Sequence, residues 1–425
     1  MNTSASVPLL ADAPSLADLR ALVSDVVRST PARDIHTHLY APHFQDLLLY
    51  GIDELLVFHY LVAESFRGFQ RDLSYEAFWS LSKAAQAELI WEQLFIRNSP
   101  LSEAARGVIT TLNQLSIEPR AHDLPALRQW FARWNADEYT DHCMKLANVS
   151  RLCMTNSPFD DEERPAWDTY RGDSRFDAAL RIDPLLMDWD AAGQQLSRWG
   201  YQVEPDLSGQ TIAEVRRFLS EWTHRMNPLF VMVSLPPTFA FPEHSARGRL
   251  IAEAVLPHCA EFGLPFSPML GVKKLVNPAL RLAGDSVGRS DLDALINLCV
   301  QFPENKFLVT ALARENQHEL CVLARKFRNL HPFGCWWFTN IPSIIDEMTR
   351  MRLDLLGPTF TAQHSDARVL EQIIYKWTHS REVIGGVLAD RYCDLALAGW
   401  TASRPEIERD VRALFGGEFE RFCAA

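Results

Sequence analysis

Two histidines stand one residue apart at His36-Thr37-His38, inside the stretch Ala32-Arg33-Asp34-Ile35-His36-Thr37-His38-Leu39. On a β-strand, residues i and i+2 point to the same side. Two imidazoles so placed at a strand end can hold one metal ion together. Asp34 falls two residues earlier, on that same face of a regular strand. Far down the chain, Gln363-His364-Ser365-Asp366-Ala367-Arg368 closes another apolar stretch, and Arg181-Ile182-Asp183 closes a third. The bland alternatives are a packed or solvated histidine pair and an Asp366 that only caps a helix.

These groups need a frame, and the surrounding periodicity supplies one. Ser15-Leu16-Ala17-Asp18 reads as a capping box opening a helix with Leu16, Leu19, Leu22, Val23 and Val26 on one face. A strand over 31–39 follows. The region 42–147 is helix-rich and rich in tryptophan, with no convincing strand, and reads as an insertion after the first strand. Further strands are expected over 149–155, 178–182, 229–235, 265–270, 306–312 and 359–364. Helical patterns separate them: one opens at Thr211, one runs over 245–262 to Gly263, and one opens at Ser290. An eighth strand is expected between Leu270 and Trp337 or within the insertion.

Strands alternating with helices imply a parallel sheet. The reading is an α/β chain, 1–425, forming one distorted (β/α)8 TIM-like barrel with the 42–147 insertion inside it. A doubly wound open sheet is the alternative, but no Gly-x-Gly-x-x-Gly follows any strand. Barrels carry their chemistry at the C-terminal strand ends. First and last strands are neighbours in a closed barrel, so Asp366 can meet His36 and His38. Two imidazoles, one carboxylate and an open position make a catalytic-type site for one divalent ion, with zinc the first expectation and manganese or iron also suited.

Composition narrows the partners. Apolar residues make up 47% and charged residues 23% of the 425, and the net charge of −12 argues against nucleic acid. An anionic ligand therefore needs local arginines. Twelve tryptophans and 24 phenylalanines can build a large core or a ring-lined cavity. The eight cysteines form no Cys-x-x-Cys pair and read as small buried hydrophobes. No basic leader precedes an apolar core and no run of about 18 apolar residues occurs, so the cytoplasm is the expected compartment and no membrane partner is expected.

With these residues in hand, a family resemblance appears. Asp34-Ile35-His36-Thr37-His38 resembles the first-strand motif of the amidohydrolase superfamily. Gly334-Cys335-Trp336-Trp337-Phe338, Ser365-Asp366-Ala367-Arg368, His59-Tyr60, Arg181-Ile182-Asp183 and Asp285-Ser286-Val287-Gly288 resemble segments of the uronate (glucuronate) isomerases, in the same order. The resemblance spans roughly 30–370. It implies one metal on His36, His38 and Asp366, and an aldose–ketose interconversion of a hexuronate: D-glucuronate or D-galacturonate to fructuronate or tagaturonate. No lysine lies near 178–182 to bridge a second metal, which fits that branch.

Within this reading each residue has a task. Asp366 is the candidate base, kept ionised by ligation, and His59 and Tyr60 are candidates to move hydroxyl protons. Arg181 and Arg368 are candidates to grip the carboxylate, or else salt-bridge to Asp183 and Asp366. Trp336 and Trp337 are candidates to stack on the sugar, with one of them expected only to pack. The chain departs from the isomerase pattern at Ser234-Leu235-Pro236-Pro237, Phe266-Ser267-Pro268-Met269 and Phe58, where an Asp-His pair, a histidine and an aspartate are usual. Those departures keep two alternatives: a metal-dependent hydrolase or decarboxylase of a carboxylate substrate, and a non-catalytic sugar-acid-binding or oligomer-forming barrel. The apolar insertion is where a homo-oligomer contact is expected.

Overall fold

Short β-branched and aromatic runs, each punctuated by helix signals, assemble into a ring of parallel strands. The computed structural model describes residues 15–68, 73–120 and 123–424. The N-terminal stretch read for a leader thus lies largely outside the described residues. The strands are β1 (Ala32–Thr37), β2 (Val149–Asn156), β3 (Phe176–Arg181), β4 (Val231–Leu235), β5 (Phe266–Leu270), β6 (Val272–Lys273), β7 (Ser286–Val287), β8 (Phe307–Ala311) and β9 (Leu330–Pro332). One sheet runs β1-β2-β3-β4-β5-β8-β9, with every neighbouring pair parallel. β6 and β7 form a separate antiparallel ribbon. β5 and β8 are buried at every residue, as strands covered on both faces must be.

Two of the sequence expectations meet a correction here. The strand expected over 359–364 makes only a single bridge, Thr361 to Phe333. Its side chains take over the ladder: Gln363 Oε1 accepts from the amides of Cys335 and His364. Main-chain bonds still close the ring, from Gly334 N to Thr361 O (2.9 Å), Asp366 N to His36 O (3.1 Å) and His38 N to Ala367 O (2.7 Å). The barrel is therefore complete but distorted at its seam. The helix expected from Ser290 begins instead at Asp293, because Ser290 is locked by two backbone bonds to the Asn316 amide. The further strand awaited before Trp337 is β9, only three residues long.

Pro268 sits inside β5 despite having no N–H to give. The β5–β8 ladder accommodates it by pairing at Phe266, Met269 and Leu270 and skipping between them. Between β1 and β2 the chain is helical, including His59–Gly68, Lys83–Trp91, Glu103–Gln114 and Ala136–Ala147. Ser82, Ser102 and Asn135 each cap their helix by accepting the amide three residues on. The Glu103–Gln114 and Ala136–Ala147 helices pack on the 26-residue helix Gln372–Leu397 that follows the seam. Apolar side chains form one layer between strands and helices and a second inside the barrel, where Ile35, Met232, Met269, Leu308 and Phe333 meet Phe419 from the C-terminal helix. No helix among the described residues is long and apolar enough to cross a membrane.

Candidate metal centre and its pocket

β1 does not run regularly into its histidines. Asp34 pairs with Leu152 and Thr37 with Met154, so three steps on β1 face two on β2, a bulge of one residue. Bulges re-aim side chains, and here the outcome separates Asp34 from the histidine pair. Asp34 accepts the Ser365 amide (3.0 Å) and the Trp377 indole (2.8 Å), tying β1 to the seam. His36 and His38 instead turn toward Asp366, with Nε2 to Oδ1 distances of 3.4 and 3.3 Å. One ligand atom from each of the three lies within 4.8 Å of the others.

The donor chemistry suits a divalent cation. His36 Nε2 and Asp366 Oδ1 are buried and have no hydrogen-bond partner among the described residues, a costly state unless something else binds them. His38 has its tautomer set from behind. The Thr155 hydroxyl donates its one hydrogen to Thr37 O (2.9 Å), so toward His38 Nδ1 (3.0 Å) it can only accept. Nδ1 therefore carries the proton and Nε2 is left bare on the Asp366 side. Burial, then the Arg368 charge, holds His38 well below the usual histidine range, in the neutral form that ligates metals. Burial works to raise the Asp366 carboxyl, but the two histidines bring it well below the usual carboxylate range.

The seam holds Asp366 in an unusual shape. Its φ of 53° is left-handed, a region that costs an aspartate roughly 1 kcal/mol or more. The neighbouring carbonyls are fixed: Ser365 O accepts from Lys376 Nζ (2.7 Å) and Asn340 Nδ2 (3.1 Å), and His364 O also accepts from Asn340 (3.2 Å). Lys376 is buried, and burial lowers its pKa.

Around the three ligand candidates a small pocket gathers most residues singled out from sequence: His59, Arg181, Arg368, Trp336 and Trp337. His59 Nε2 is buried without a partner, and burial, then Arg368, keeps the ring neutral. Arg368 reaches His38 Nε2 at 3.5 Å and pairs with no carboxylate within salt-bridge distance among the described residues. Arg181 is spoken for by Asp183, through bonds of 3.0 and 2.8 Å. Trp336 is buried in the inner core layer. Trp337 stands at a φ of 47°, stacks on Phe338 and leaves its indole nitrogen without a partner. Tyr60 is not on the pocket wall; it packs behind His59 at 4.4 Å between ring centres, and burial, then Asp366, raises its phenol.

Several residues escaped the sequence reading. His364 is fully buried, its ring 5.0 Å from that of His36 with both nitrogens unpartnered. Ser234 and Lys274 complete the wall, and Lys274 is held by Asp285 at 2.8 Å. Ser234, near the C-terminal end of β4, could have been found from its place in the barrel, whereas Lys274 follows the short β6 and His364 lies on the seam. A larger outer cavity of about 820 Å3 opens from the same place and shares His38, His59, Arg181 and Arg368.

Solved structures share this architecture. A uronate isomerase from Bacillus halodurans C-125 is 52% identical over 97% of this chain and 97% of that one, with a TM-score of 0.95. A uronate isomerase from Thermotoga maritima matches at 14% identity over 95% and 97% of the two chains, with a TM-score of 0.75. A glucuronate isomerase from Caulobacter crescentus matches at 15% identity over 98% and 95%, with a TM-score of 0.73. No family model matches the chain, and no curated protein does.

Proposed function

The chain belongs to the uronate isomerase family, and from that premise we propose that it interconverts a hexuronate aldose, D-glucuronate or D-galacturonate, with its 2-ketose, fructuronate or tagaturonate. The observation that carries this reading is the meeting of His36, His38 and Asp366 beside an arginine with no carboxylate partner among the described residues, in one pocket at the C-terminal strand ends. A divalent ion, zinc before manganese or iron, would be held by His36, His38 and Asp366 and would supply Lewis-acid polarisation of a substrate oxygen. The 42–147 region acts as an insertion within one barrel unit, and the exposed Ile96 and Leu101 there support a homo-oligomer contact. All eight cysteines are free thiols, which supports a reducing, cytoplasmic setting.

The reaction moves one hydrogen from C2 to C1 and one proton from O2 to O1, through an enediol. Asp366, ionised beside two imidazoles, takes the proton from C2 and returns it to C1. His59, neutral and with a free Nε2, relays the hydroxyl proton. Tyr60 stays protonated behind it and holds the His59 ring in place. Arg368 receives the substrate carboxylate: its charge is desolvated and no carboxylate among the described residues lies within salt-bridge distance, so an arriving anion gains a charge-assisted bond. Arg181, already neutralised by Asp183, shapes the wall more than it attracts the anion. Trp337 offers a ring and an indole N–H to the sugar.

Incubating the metal-loaded protein with either aldose in D2O and following it by NMR tests this. Ketose should appear at unchanged mass apart from deuterium, with loss of the C2 proton signal. A product lighter by CO2, or heavier by water, would replace isomerisation with the decarboxylase or hydrolase reading.

A further inference from the structure

The outer cavity carries a second polar unit that the proton transfers leave unused. Tyr40 follows His38 by two residues, and Glu163 lies in the turn after β2; both line the cavity alongside Arg181 and Arg368. Glu163 is 1% exposed, yet both of its carboxyl oxygens are engaged. Oε1 accepts the Trp167 indole (3.0 Å), while Oε2 accepts the Ser157 amide (3.1 Å) and the Tyr40 hydroxyl (3.2 Å). A phenol has one hydrogen to give. With Glu163 ionised and that hydrogen committed to it, the remaining lone pair of the Tyr40 oxygen is free to accept. The ring cannot easily turn away, because it packs on Phe44 at 5.5 Å between centres.

We propose that the Tyr40 oxygen, oriented by Glu163, accepts a hydrogen bond from a hydroxyl of the bound sugar acid, and so is a further substrate-positioning residue. The inference rests on the hexuronate reading for its ligand class. It follows from complementarity: the arginines on this wall can only donate, and they suit a carboxylate. Sugar hydroxyls also need an acceptor, and the Glu163 carboxylate, 1% exposed with three donors already on it, is withdrawn behind Tyr40. Tyr40 offers an acceptor on this wall that is both fixed and unfilled. A rigid aromatic acceptor loses little conformational freedom on binding.

The test compares wild type, Tyr40→Phe and Glu163→Gln, each saturated with metal. Binding of D-glucarate, a hexaric acid with no aldehyde to isomerise, is measured by calorimetry, and turnover of D-glucuronate is measured beside it. Tyr40→Phe should weaken D-glucarate binding about five- to tenfold, the value of one neutral hydrogen bond, and raise KM by a similar factor with kcat kept. Glu163→Gln, which loosens the orientation but keeps the phenol, should weaken binding less than Tyr40→Phe does. D-glucarate binding by Tyr40→Phe within about twofold of wild type, below what one hydrogen bond contributes, overturns the proposal. A wild-type protein that binds D-glucarate but turns over neither D-glucuronate nor D-galacturonate overturns the isomerase reading instead, so the two failures are distinguishable.

Discussion

At the scale of single residues, the least conspicuous group in the centre is the one that sets it up. Thr155 spends its hydrogen on Thr37 O and leaves His38 no choice of tautomer. Thr155→Val keeps the shape but removes that acceptor, freeing the imidazole to rotate or to protonate Nε2. Metal affinity should fall about 10- to 100-fold, read by competition with a chelator, while Thr155→Ser should retain most of it. The arginines should also separate. Arg368→Met removes an unpaired charge and should raise KM for a uronate by about tenfold or more, in line with a charged hydrogen bond of roughly 1.5–3 kcal/mol. Arg181→Met removes one already bound to Asp183 and should raise KM less, while exposing Asp183 to the site. Steady-state kinetics on D-glucuronate ranks the two, and the reverse ranking would reassign the carboxylate grip. His36, His38 and Asp366 could be found from the chain because strand period and barrel closure are regular rules. Thr155 could not, since its meaning lies in which of two partners takes its hydrogen.

At the scale of elements, the Gly334-Cys335-Trp336-Trp337-Phe338 segment explains itself only once the seam is in view. Gly334 has a φ of 61°, and a Cβ there would lie 1.7 Å from His364 Nδ1. The glycine is needed twice, for its conformation and for the ring that presses on it, and that ring in turn abuts His36. Gly334→Ala should therefore lower both Tm and metal content, by about 2 kcal/mol or more of stability; a full complement of metal in a folded variant would show that His364 is not part of the frame. Strand order, the parallel sheet and the helix ends at Ser15 and Gly263 were legible in the sequence, because periodicity and caps are local. What stayed hidden depends on contacts distant in the chain. β9 is too short to show a pattern. The seam reads as a strand but gives its hydrogen bonds to Gln363 and Asn340. Asp34 looks like a third member of the histidine face until the β1 bulge and the Ser365 amide claim it.

At the scale of the whole molecule, the helical region after β1 is fastened to the barrel through a buried acid, and this gives the fold a pH dependence. Glu371 is fully buried just ahead of the Gln372–Leu397 helix, where Oε1 accepts the Gly51 amide (2.6 Å) and Oε2 has no partner. Burial pushes its carboxyl from an ordinary 4.5 up to about 7. The folded protein therefore holds a proton that the unfolded chain has lost between those two values. Proton uptake greater in the folded state means that stability falls as pH rises. Its contribution is fully present below about pH 4.5 and is lost through about pH 7, amounting to about 3 kcal/mol at most. Glu163, likewise raised by burial to about 7, acts in the same direction. Glu371→Gln fixes the neutral state at one of the two positions. Thermal melts from pH 5 to pH 8 should show wild type losing a few degrees relative to this variant, with the difference growing up to about pH 7 and levelling off above it. Parallel curves would mean that Glu371 is ionised in the fold, with Oε2 served by the buried hydroxyl of the neighbouring Tyr139.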